Sequence, residues 1–548
     1  MDPISRVVAA GAAGAGAATP GLYVDDLFSS YLYLGNQTAR TITNGIDLSG
    51  EGGLVWIKSR QSTEPNSLCD TERGAGKFLR SNSTIQEYTD SSGRLSQFNS
   101  NGFNIGLDTE VNETNKDFVS WTFRKAPGFF DVVTYSGDGN SSQTISHSLG
   151  CAPGMIIIKR RNASDTWYVY HRSIGATKYL SLTSPTSASG ATTGVFNNTE
   201  PTSTHFTVGS AFYTNSSSGT YVAYLFAHDC GEFGTSGSED IIQCGSYTGN
   251  GSYSGPTVDL GFEPQFLMVK NTSSSADWHV FDTMRGFPVE GNAKFLEWNN
   301  TFVEGNTNAY QITPTGLKVV QIGVDWNLSG DKYVYLAIRR PHKSPEAGTN
   351  VLDVIARSGT GSTTVVSGDI EPVDFVITKS RNTTNKPVAL TRLLGNYGLE
   401  TDATTVATTN VLGTSINPWD IQDGIRFTGD GDTNASGGFN YINYFFKRAP
   451  GFFDVVAYTG TGSAQNVGHN LDAVPELIIV KARDVTDHWQ VYSSVTDETD
   501  FLMLNQTDAT DDQVSKWNDT APTSSVFTVN TDTGVNQSTK AYVAYLFA

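Results

Sequence analysis

The chain has 548 residues, of which 38% are apolar, 11% aromatic and 17% charged, with a formal net charge of −19 at pH 7. One hydrophobic core rarely serves so long a chain, so several domains are expected, and this aromatic content argues against disorder. The negative charge argues against nucleic acid and against insertion at an anionic membrane surface, because both partners favour basic proteins.

Residues 1–22 form an Ala/Gly-rich arm. The tract from Ala9 to Ala18 consists almost wholly of Ala and Gly and lacks the strong apolar centre of a secretory signal. Glycine also disfavours a helix there. We expect an extended attachment arm that becomes ordered only against a partner.

Two sequence markers repeat along the rest of the chain with one period of roughly 100–110 residues. The first is a buried apolar strand that ends in lysine, at Lys58, Lys159, Lys270, Lys379 and Lys481. The second is an aromatic closing strand, which begins at Phe118, Tyr221, Tyr333, Tyr441 and Tyr542. Two independent markers with one period indicate tandem modules.

The sequence predicts an all-β fold of five tandem β-sandwich or jelly-roll-like modules, each of about 100 residues with about seven short strands. The predicted ranges are 23–127 (module 1), 128–227 (module 2), 237–341 (module 3), 352–450 (module 4) and 451–548 (module 5). Apolar runs such as Ile156–Ile158 indicate strands covered on both faces. Because the linkers are short, we expect a rod or a compact string of modules.

Three tryptophans, Trp167, Trp278 and Trp489, recur at one place in their modules. Periodic tryptophans are typical of a core rather than of a binding face. Specific recognition is then expected in the loops that differ most between modules. These loops are Ser184–Thr193, Pro288–Lys294 and Thr401–Trp419.

The four cysteines are Cys69, Cys151, Cys230 and Cys244. None lies in a CxxC pair or at zinc-finger spacing. Cys230 and Cys244 could pair around a short loop, but a chain of this size does not need disulfides to fold. We expect four free thiols.

Histidines and acidic turns offer weak candidates for ligand binding. His147 and His469 occupy matching places before an apolar residue, and we interpret both as residues that form local hydrogen bonds. The segment Asp430–Asn434 resembles the start of a calcium loop, but Ala435 stands where glycine is required and Tyr441 where glutamate is required. We interpret this segment as a surface turn.

No HExxH motif, GxSxG motif or phosphate-binding loop occurs in the sequence. Adjacent carboxylates, which could serve glycoside hydrolysis if they faced each other across a cleft, occur at Asp25-Asp26, Glu239-Asp240 and Asp511-Asp512. Neighbouring acids on a loop are usually solvated. The sequence therefore predicts no catalytic, cofactor-binding or metal-binding residues, no cofactor and no enzyme activity.

Several segments together resemble repeat domains in virion structural proteins of marine bacteriophages, especially those that infect cyanobacteria. These segments are Thr41–Leu48, Gly52–Arg60, Pro153–Arg161, Trp167–Arg172 and Tyr221–Ala227. Such proteins are often described as tail-fibre-like or appendage proteins. The resemblance covers nearly the whole chain after residue 21 and carries no catalytic signature.

The resemblance implies a location on the virion, at its surface, tail or capsid, and a role in host attachment or particle architecture. It implies other virion proteins as partners through the N-terminal arm, a host surface glycan or protein as a ligand, and a homo-oligomer, which in phage fibres is often a trimer. Two alternatives remain open: a capsid-decorating or baseplate protein, and a cell-surface protein that binds or degrades carbohydrate.

Overall fold

The computed structural model describes residues 21–90, 93–409, 417–496 and 498–548. These residues form strands and a few single-turn helices, so the all-β prediction is confirmed. The α-helices are α1 (Thr109–Asn112), α2 (Phe212–Asn215), α3 (Gly431–Asn434), α4 (Val514–Trp517) and α5 (Thr533–Asn536). Short 3-10 turns span Val24–Asp26, Gly348–Asn350 and Arg392–Leu394. The predicted arm lies almost entirely outside the described residues.

The strands, in chain order, are grouped by the module ranges defined above. Module 1 contains β1 (Phe28–Leu34), β2 (Arg40–Thr43), β3 (Gly53–Ser59), β4 (Ser67–Asp70), β5 (Lys77–Arg80), β6 (Tyr88–Thr89), β7 (Leu95–Asn99), β8 (Gly102–Ile105) and β9 (Asp117–Arg124). Module 2 contains β10 (Phe130–Ser136), β11 (Gln143–Ser146), β12 (Met155–Arg160), β13 (Trp167–His171), β14 (Leu180–Ser181), β15 (His205–Val208) and β16 (Thr220–Phe226). Module 3 contains β17 (Ile242–Thr248), β18 (Thr257–Asp259), β19 (Pro264–Asn271), β20 (His279–Asp282), β21 (Ala293–Glu297), β22 (Gly305–Thr307), β23 (Tyr310–Thr313), β24 (Gly316–Val319) and β25 (Lys332–Arg339). Module 4 contains β26 (Leu352–Ser358), β27 (Thr364–Ser367), β28 (Phe375–Ser380), β29 (Val388–Thr391), β30 (Gly398–Glu400), β31 (Gly424–Phe427) and β32 (Asn440–Phe446). Module 5 contains β33 (Phe453–Thr459), β34 (Gln465–Gly468), β35 (Leu477–Ala482), β36 (Gln490–Ser493), β37 (Asp500–Met503), β38 (Asp511–Asp512), β39 (Val526–Val529) and β40 (Ala541–Phe547).

One strand order recurs in the large antiparallel sheets. In each of them the first strand of the module pairs with the closing strand. The closing strand also pairs with the strand that contains the repeat lysine, which we call the Lys strand, and the following strands extend the sheet. The orders are β1-β9-β3-β4-β5-β6, β10-β16-β12-β13-β14, β17-β25-β19-β20-β21-β22, β26-β32-β28-β29-β30 and β33-β40-β35-β36-β37-β38. The five repeat lysines therefore lie on topologically equivalent strands, as the period predicts.

A small sheet covers the inner face of each large one. The small sheets are β2-β8-β7, β11-β15, β18-β24-β23, β27-β31 and β34-β39. In module 1, Ile42 and Phe103 of the small sheet pack with Val55, Ile57 and Phe118 of the large sheet. Alternate residues of each strand supply this layer, which is the core of a β-sandwich.

A buried asparagine fixes the turn before each closing strand. In module 2, the Oδ1 atom of Asn215 accepts a hydrogen bond from the backbone nitrogen of Asp138 (2.9 Å), and its Nδ2 atom donates to the carbonyl of Asn140 (3.1 Å). The Tyr221 hydroxyl accepts from the backbone nitrogen of Ser216 (2.7 Å). Buried asparagines with the same role are Asn112, Asn327, Asn434 and Asn536. Each satisfies backbone groups that burial would otherwise leave unpaired.

A disulfide joins Cys151 and Cys230, whose Cα atoms are 6.3 Å apart. The expectation of four free thiols is therefore wrong, and Cys244, the other partner considered for Cys230, is a buried free thiol. The strand register explains the pairing. Met155 of β12 pairs with Phe226 of β16. Cys151 precedes Met155 by as many residues as Cys230 follows Phe226, so the two cysteines leave the sheet side by side.

The outer faces of the large sheets pack against other modules through one recurring contact, which we call the module joint. Its strand side consists of the Lys strand and the residue eight positions after the lysine. Its loop side is the loop after strand β5, β14, β21, β30 or β37. Module 2 docks on module 1 in this way: the Trp167 Nε1 atom donates to the Arg80 carbonyl (3.0 Å), the Lys159 Nζ atom donates to the Thr84 carbonyl (3.1 Å), and the Glu87 backbone nitrogen donates to the Arg161 carbonyl (2.8 Å).

The same three hydrogen bonds occur in three further joints. Module 3 docks on module 2 through Trp278 to Ser181, Lys270 to Pro185 and Ala188 to Thr272. Module 1 docks on module 3 through Asn66 to Glu297, Lys58 to Thr301 and Glu304 to Arg60. Module 5 docks on module 4 through Trp489 to Glu400, Lys481 to Thr404 and Ala407 to Arg483.

Modules 1, 2 and 3 thus close a ring with pseudo-threefold symmetry inside one chain. One continuous hydrophobic cluster extends through all three, and in it Phe123 of module 1 contacts Phe226 of module 2 and Phe266 of module 3. Because module 1 contacts module 3, a rod in which modules touch only their sequence neighbours is excluded.

Four of the repeat lysines are fully buried at these joints: Lys58, Lys159, Lys270 and Lys481. Burial lowers the pKa of each of them to about 8, although nearby carboxylates oppose the shift. Each ammonium group donates to backbone carbonyls, and one of these carbonyls belongs to the neighbouring module. The joints therefore contain charged groups that titrate near pH 8.

We predict that the buried lysines make a contribution to the free energy of unfolding that rises between pH 8 and pH 10. Burial raises the pKa of the Cys69 and Cys244 thiols and of tyrosines such as Tyr224, whose contribution falls with pH, so the lysine contribution is measured as the difference between a lysine variant and the unaltered chain. In this window the unfolded chain still binds protons at lysines that are already neutral in the folded state, so raising the pH favours folding, by up to about 1.4 kcal/mol per pH unit for each lysine. Below pH 8 these lysines are protonated in both states and the cost of burying the charge is fully present. Urea denaturation at pH 8, 9 and 10 measures the slope.

Compared with the unaltered chain, Lys159→Met should lower this slope by up to about 1.4 kcal/mol per pH unit, because the contribution of one buried lysine is removed. Lys178→Met, at an exposed lysine of the same module, is the matched control and should leave the slope unchanged. Equal slopes for Lys159→Met and the unaltered chain over this window would contradict the assignment.

Candidate functional site: a polar groove between modules 3 and 4

A groove of about 760 Å³ lies where module 3 meets module 4. Its walls come from the β20–β21 loop, the β22–β23 turn, the turn before β30 and the ends of the loop between β30 and β31. The lining residues are Gly286, Pro288, Glu290, Gly291, Asn292, Lys294, Asn306, Asn308, Gln311, Val320, Gly395, Asn396, Tyr397, Thr409 and Asn417. This volume is in the range of small-molecule and oligosaccharide sites.

The module 3 wall is anchored by apolar residues of its loop. Phe287 and Val289 are buried, and the Val289 backbone nitrogen donates to the Leu393 carbonyl of module 4 (3.0 Å). Gly286 has φ +109°, a conformation that L-residues with side chains rarely adopt, so the loop turns sharply there. The wall is therefore fixed to module 4 by its backbone rather than by the groove-lining side chains.

The module 4 wall is held by an arginine–tryptophan pair. The Arg392 guanidinium lies 5.3 Å from the centre of the Trp419 ring and donates to the Trp419 carbonyl (2.7 Å). The indole nitrogen of Trp419 donates to the Gly395 carbonyl (2.6 Å), and the Asn417 Nδ2 atom donates to the Arg285 carbonyl of module 3 (2.9 Å). This network fixes the turn that carries Asn396 and Tyr397.

Several polar groups of the groove are unused. The side-chain amides of Asn292, Asn306, Asn308 and Asn396 form no hydrogen bond with any other residue in the described part of the chain, and neither does the Tyr397 hydroxyl. Each amide offers both donors and an acceptor, and a half-buried tyrosine ring adds an apolar face with a polar edge. Such a set suits a ligand rich in hydroxyl or amide groups.

The charges at the groove are compensated by neighbours. Glu290 pairs with Arg483 of module 5 (2.9 Å), and Lys294 lies 3.9 Å from Glu304. The groove therefore presents no uncompensated cluster of one sign. It favours a neutral polar ligand over a phosphate or a polyamine.

Two of the three predicted recognition loops meet at this groove. Pro288–Lys294 forms part of the module 3 wall, and Thr401–Trp419 supplies Thr409 and Asn417, with residues 410–416 lying outside the described residues. The third loop, Ser184–Thr193, is part of the joint between modules 2 and 3 instead. The sequence could not indicate that the module 3 asparagines Asn292, Asn306 and Asn308 line a groove, because the groove exists only once module 4 docks on module 3.

A buried ionic network lies directly behind the groove, where modules 3, 4 and 5 meet. Arg448 forms two hydrogen bonds with Glu263 (2.7 and 2.7 Å) and one with Asp454 (2.8 Å), and Arg340 also donates to Asp454 (3.0 Å). Burial acts to raise the pKa of Asp454, but the two guanidiniums outweigh it and lower that pKa. Arg392, which holds the module 4 wall, lines the same small internal cavity.

The adjacent carboxylates of the sequence do not face one another across a cleft. Asp25 accepts hydrogen bonds from the backbone nitrogens of residues 342 and 343, and Asp26 pairs with Lys343. Glu239 pairs with Arg339, and Asp240 accepts from the Gly231 backbone nitrogen. Asp511 and Asp512 are exposed on an edge strand. Each pair has a structural or a solvated setting.

The histidine and acidic-turn candidates have local roles. The Nδ1 atoms of His147 and His469 each accept a hydrogen bond from the backbone nitrogen two residues later (3.2 Å in both). Asp430 caps α3 by accepting from the Asp432 backbone nitrogen (2.8 Å), and Asn434 is the buried asparagine of module 4. Within the described ranges, no three His, Cys, Asp or Glu side chains form a group able to hold a metal ion.

The periodic tryptophans are buried, as predicted, but they lie at the module joints rather than between the two sheets of a module. No helix in the described residues has the length and apolar character needed to span a membrane.

Comparison with known families gives one match. A family described as a domain of unknown function, DUF7483, matches residues 24–341 and 451–548. The chain belongs to this DUF7483 family. The matched residues cover the closed ring of modules 1–3 and the whole of module 5, so module 4, which supplies one wall of the groove, lies outside the match. No curated protein matches the chain.

We predict that Arg448→Leu lowers the free energy of unfolding by about 3–5 kcal/mol, because it leaves Glu263 buried with an incomplete set of partners. Lys386→Met, which breaks the pair between the exposed Lys386 and the largely buried Glu400, is the control and should have a far smaller effect, because Glu400 keeps its hydrogen bond from Thr405. Chemical denaturation of both variants measures the difference. Equal losses would show that the network behind the groove does not stabilise the junction.

Proposed function

We propose that this DUF7483 protein is a non-catalytic structural and binding protein of a phage virion, an appendage of the fibre or spike type, which contacts a neutral glycan of the host surface through the groove between modules 3 and 4. The observation that carries the proposal is the convergence of unpaired side-chain amides and a half-buried tyrosine in one groove. The resemblance to virion repeat domains supports the location on the particle.

The groove supports binding better than glycan cleavage. Hydrolysis of a glycosidic bond generally needs two carboxyl groups on opposite sides of the scissile bond. Among the described lining residues Glu290 is the only carboxylate, and Arg483 holds it at 2.9 Å. A purely architectural role, in the capsid or the baseplate, is the second candidate, because four repeated joints already use most of the sheet faces for contacts between modules.

Glycan binding is tested on the full chain with an array of neutral oligosaccharides, followed by calorimetry on those that bind. Tyr397→Ala should weaken binding at least tenfold, because the ring supplies contact area and a hydroxyl. Asn308→Ala combined with Asn396→Ala should weaken it similarly. Tyr253→Ala, at a tyrosine of module 3 that is 73% exposed and outside the groove, is the matched control.

Binding that survives both groove variants would place the ligand elsewhere. Binding to no oligosaccharide would favour the architectural role, and new reducing ends during incubation would favour a glycan-degrading enzyme. The location is tested separately, by electron microscopy of particles labelled with antibodies to the chain. We expect label on a tail or capsid appendage, and particles without label would contradict the virion proposal.

A further inference from the structure

Module 4 differs from the other modules in the exposure of its outer sheet face. At one row of that face, the residues of the first and closing strands are buried in the other four modules. These residues are Ser30 and Trp121, Val132 and Tyr224, Cys244 and Leu336, and Val455 and Tyr545. In module 4 the same row holds Val354, which is 48% exposed, and Tyr444, which is 40% exposed. No described residue covers this face as the neighbouring modules cover the others.

The strand side of the joint is also unoccupied in module 4. Lys379 donates to the Asn385 carbonyl of its own module and, among the described residues, to no carbonyl of a second module, unlike the other four repeat lysines. Arg381, two positions later, is exposed and forms no ion pair with any described residue. In two of the four joints an arginine at this position pairs with a glutamate of the loop side: Arg60 with Glu304 (2.7 Å) and Arg161 with Glu87 (2.9 Å).

The loop side of the joint is unoccupied in module 5. Leu504 is 48% exposed, whereas its counterparts Leu182 and Trp298 are fully buried. Thr507 occupies the position whose carbonyl accepts from the buried lysine in the other joints. Thr510 occupies the position whose backbone nitrogen donates to the carbonyl of the residue two positions after that lysine. Both threonines are exposed as well. Modules 4 and 5 are therefore joined to each other by one joint. Each also carries one side of a joint that no described residue occupies, the strand side in module 4 and the loop side in module 5, and we call each of these an open half-joint.

We propose that modules 4 and 5 are two members of a second three-module ring, and that the third place is filled by a further module of the same fold that lies outside residues 1–548. The joint between modules 5 and 4 has the same three hydrogen bonds as the joint between modules 2 and 1. A third module in the position that module 3 has in the first ring would contact both open half-joints at once: its strand side would dock on module 5, and its loop side would receive module 4. The proposal does not depend on the glycan-binding role of the groove.

The open half-joints define the chemistry of the partner module. Its loop side must present a carboxylate to Arg381 and an apolar surface to Val354 and Tyr444. Its strand side must present a buried lysine to the carbonyl of Thr507. Continuity with four established joints of identical pattern is what identifies the occupant as a module rather than a peptide or a lipid.

A second copy of this chain does not meet these requirements. The third place needs one module with both half-joints free, whereas modules 1–3 have none free and modules 4 and 5 have one each. Two copies could only form a four-module ring, but the joint closes after three modules in the first ring, which fixes a rotation of about 120° per module.

The test adds a third module to the chain. The strings Tyr221–Ala227 and Tyr542–Ala548 are identical, so a second copy of residues 228–341 joined after Ala548 follows module 5 as module 3 follows module 2. Val354→Cys reports on the open face through its rate of maleimide labelling. We expect labelling at least tenfold slower in the extended chain than in the unextended one, while Val495→Cys, 89% exposed, labels at the same rate in both.

A charge exchange then tests the joint itself. Arg381→Glu should restore rapid labelling in the extended chain, and Glu304→Arg in the added copy should restore protection. A second extended chain, with residues 228–236 followed by a copy of module 1 (residues 23–127), which carries Lys58 and Glu87 at the equivalent positions, guards against an added module that folds poorly. Rapid labelling in both extended chains would overturn the proposal, as would a dimer of the unextended chain, seen by analytical ultracentrifugation, that protects Val354→Cys.

Discussion

The architecture depends on large sheets that are apolar on both faces. The inner face of each is covered by the small sheet of its own module, but the outer face has no cover within the module, and exposing it would forfeit roughly 25 cal/mol for every Å² of apolar surface. Association of modules is therefore a condition of folding rather than a later event. Backbone hydrogen bonds and a buried lysine at each joint then select one register among the many ways in which two apolar sheets could pack.

The buried lysine is costly, because burial disfavours its charged form, and it is stabilised by carbonyls from two modules. The carbonyl of Thr84 shows why the arrangement is specific: it accepts from Lys159 (3.1 Å) and from the Asp165 backbone nitrogen (2.8 Å), so two groups of module 2 fix one carbonyl of module 1. Module 1 lacks the tryptophan of the strand side and has Asn66 there instead. Its joint gains the stacking of Trp56 on Trp298, whose ring centres are 3.6 Å apart.

Much of the fold could be predicted from the sequence, because strands are local and repeats are visible in one chain. The period placed the lysines on equivalent strands, and the apolar run at Ile156–Ile158 indicated cover on both faces. The joints could not be predicted, because the partner of Lys58 in the neighbouring module, the Thr301 carbonyl, lies 243 residues away in the sequence. The disulfide was missed although the period contained its cause: once β12 and β16 are taken as neighbours, antiparallel register brings Cys151 and Cys230 together.

The groove arises where the repetition fails. Module 3 already uses both half-joints in the first ring, so module 4 docks on it through a loop rather than through a joint, and this exception leaves polar loops facing each other. In the ring the loops after β5, β14 and β21 are committed to joints and cannot vary freely without breaking them. In a chain that needs both rigid contacts between modules and a variable binding surface, the binding surface can form only from residues that take no part in those contacts. The amides of Asn308 and Asn396 lie at such positions, because they take part in no joint. The exposed guanidinium of Arg381 lies at a joint position for which no described residue supplies a carboxylate.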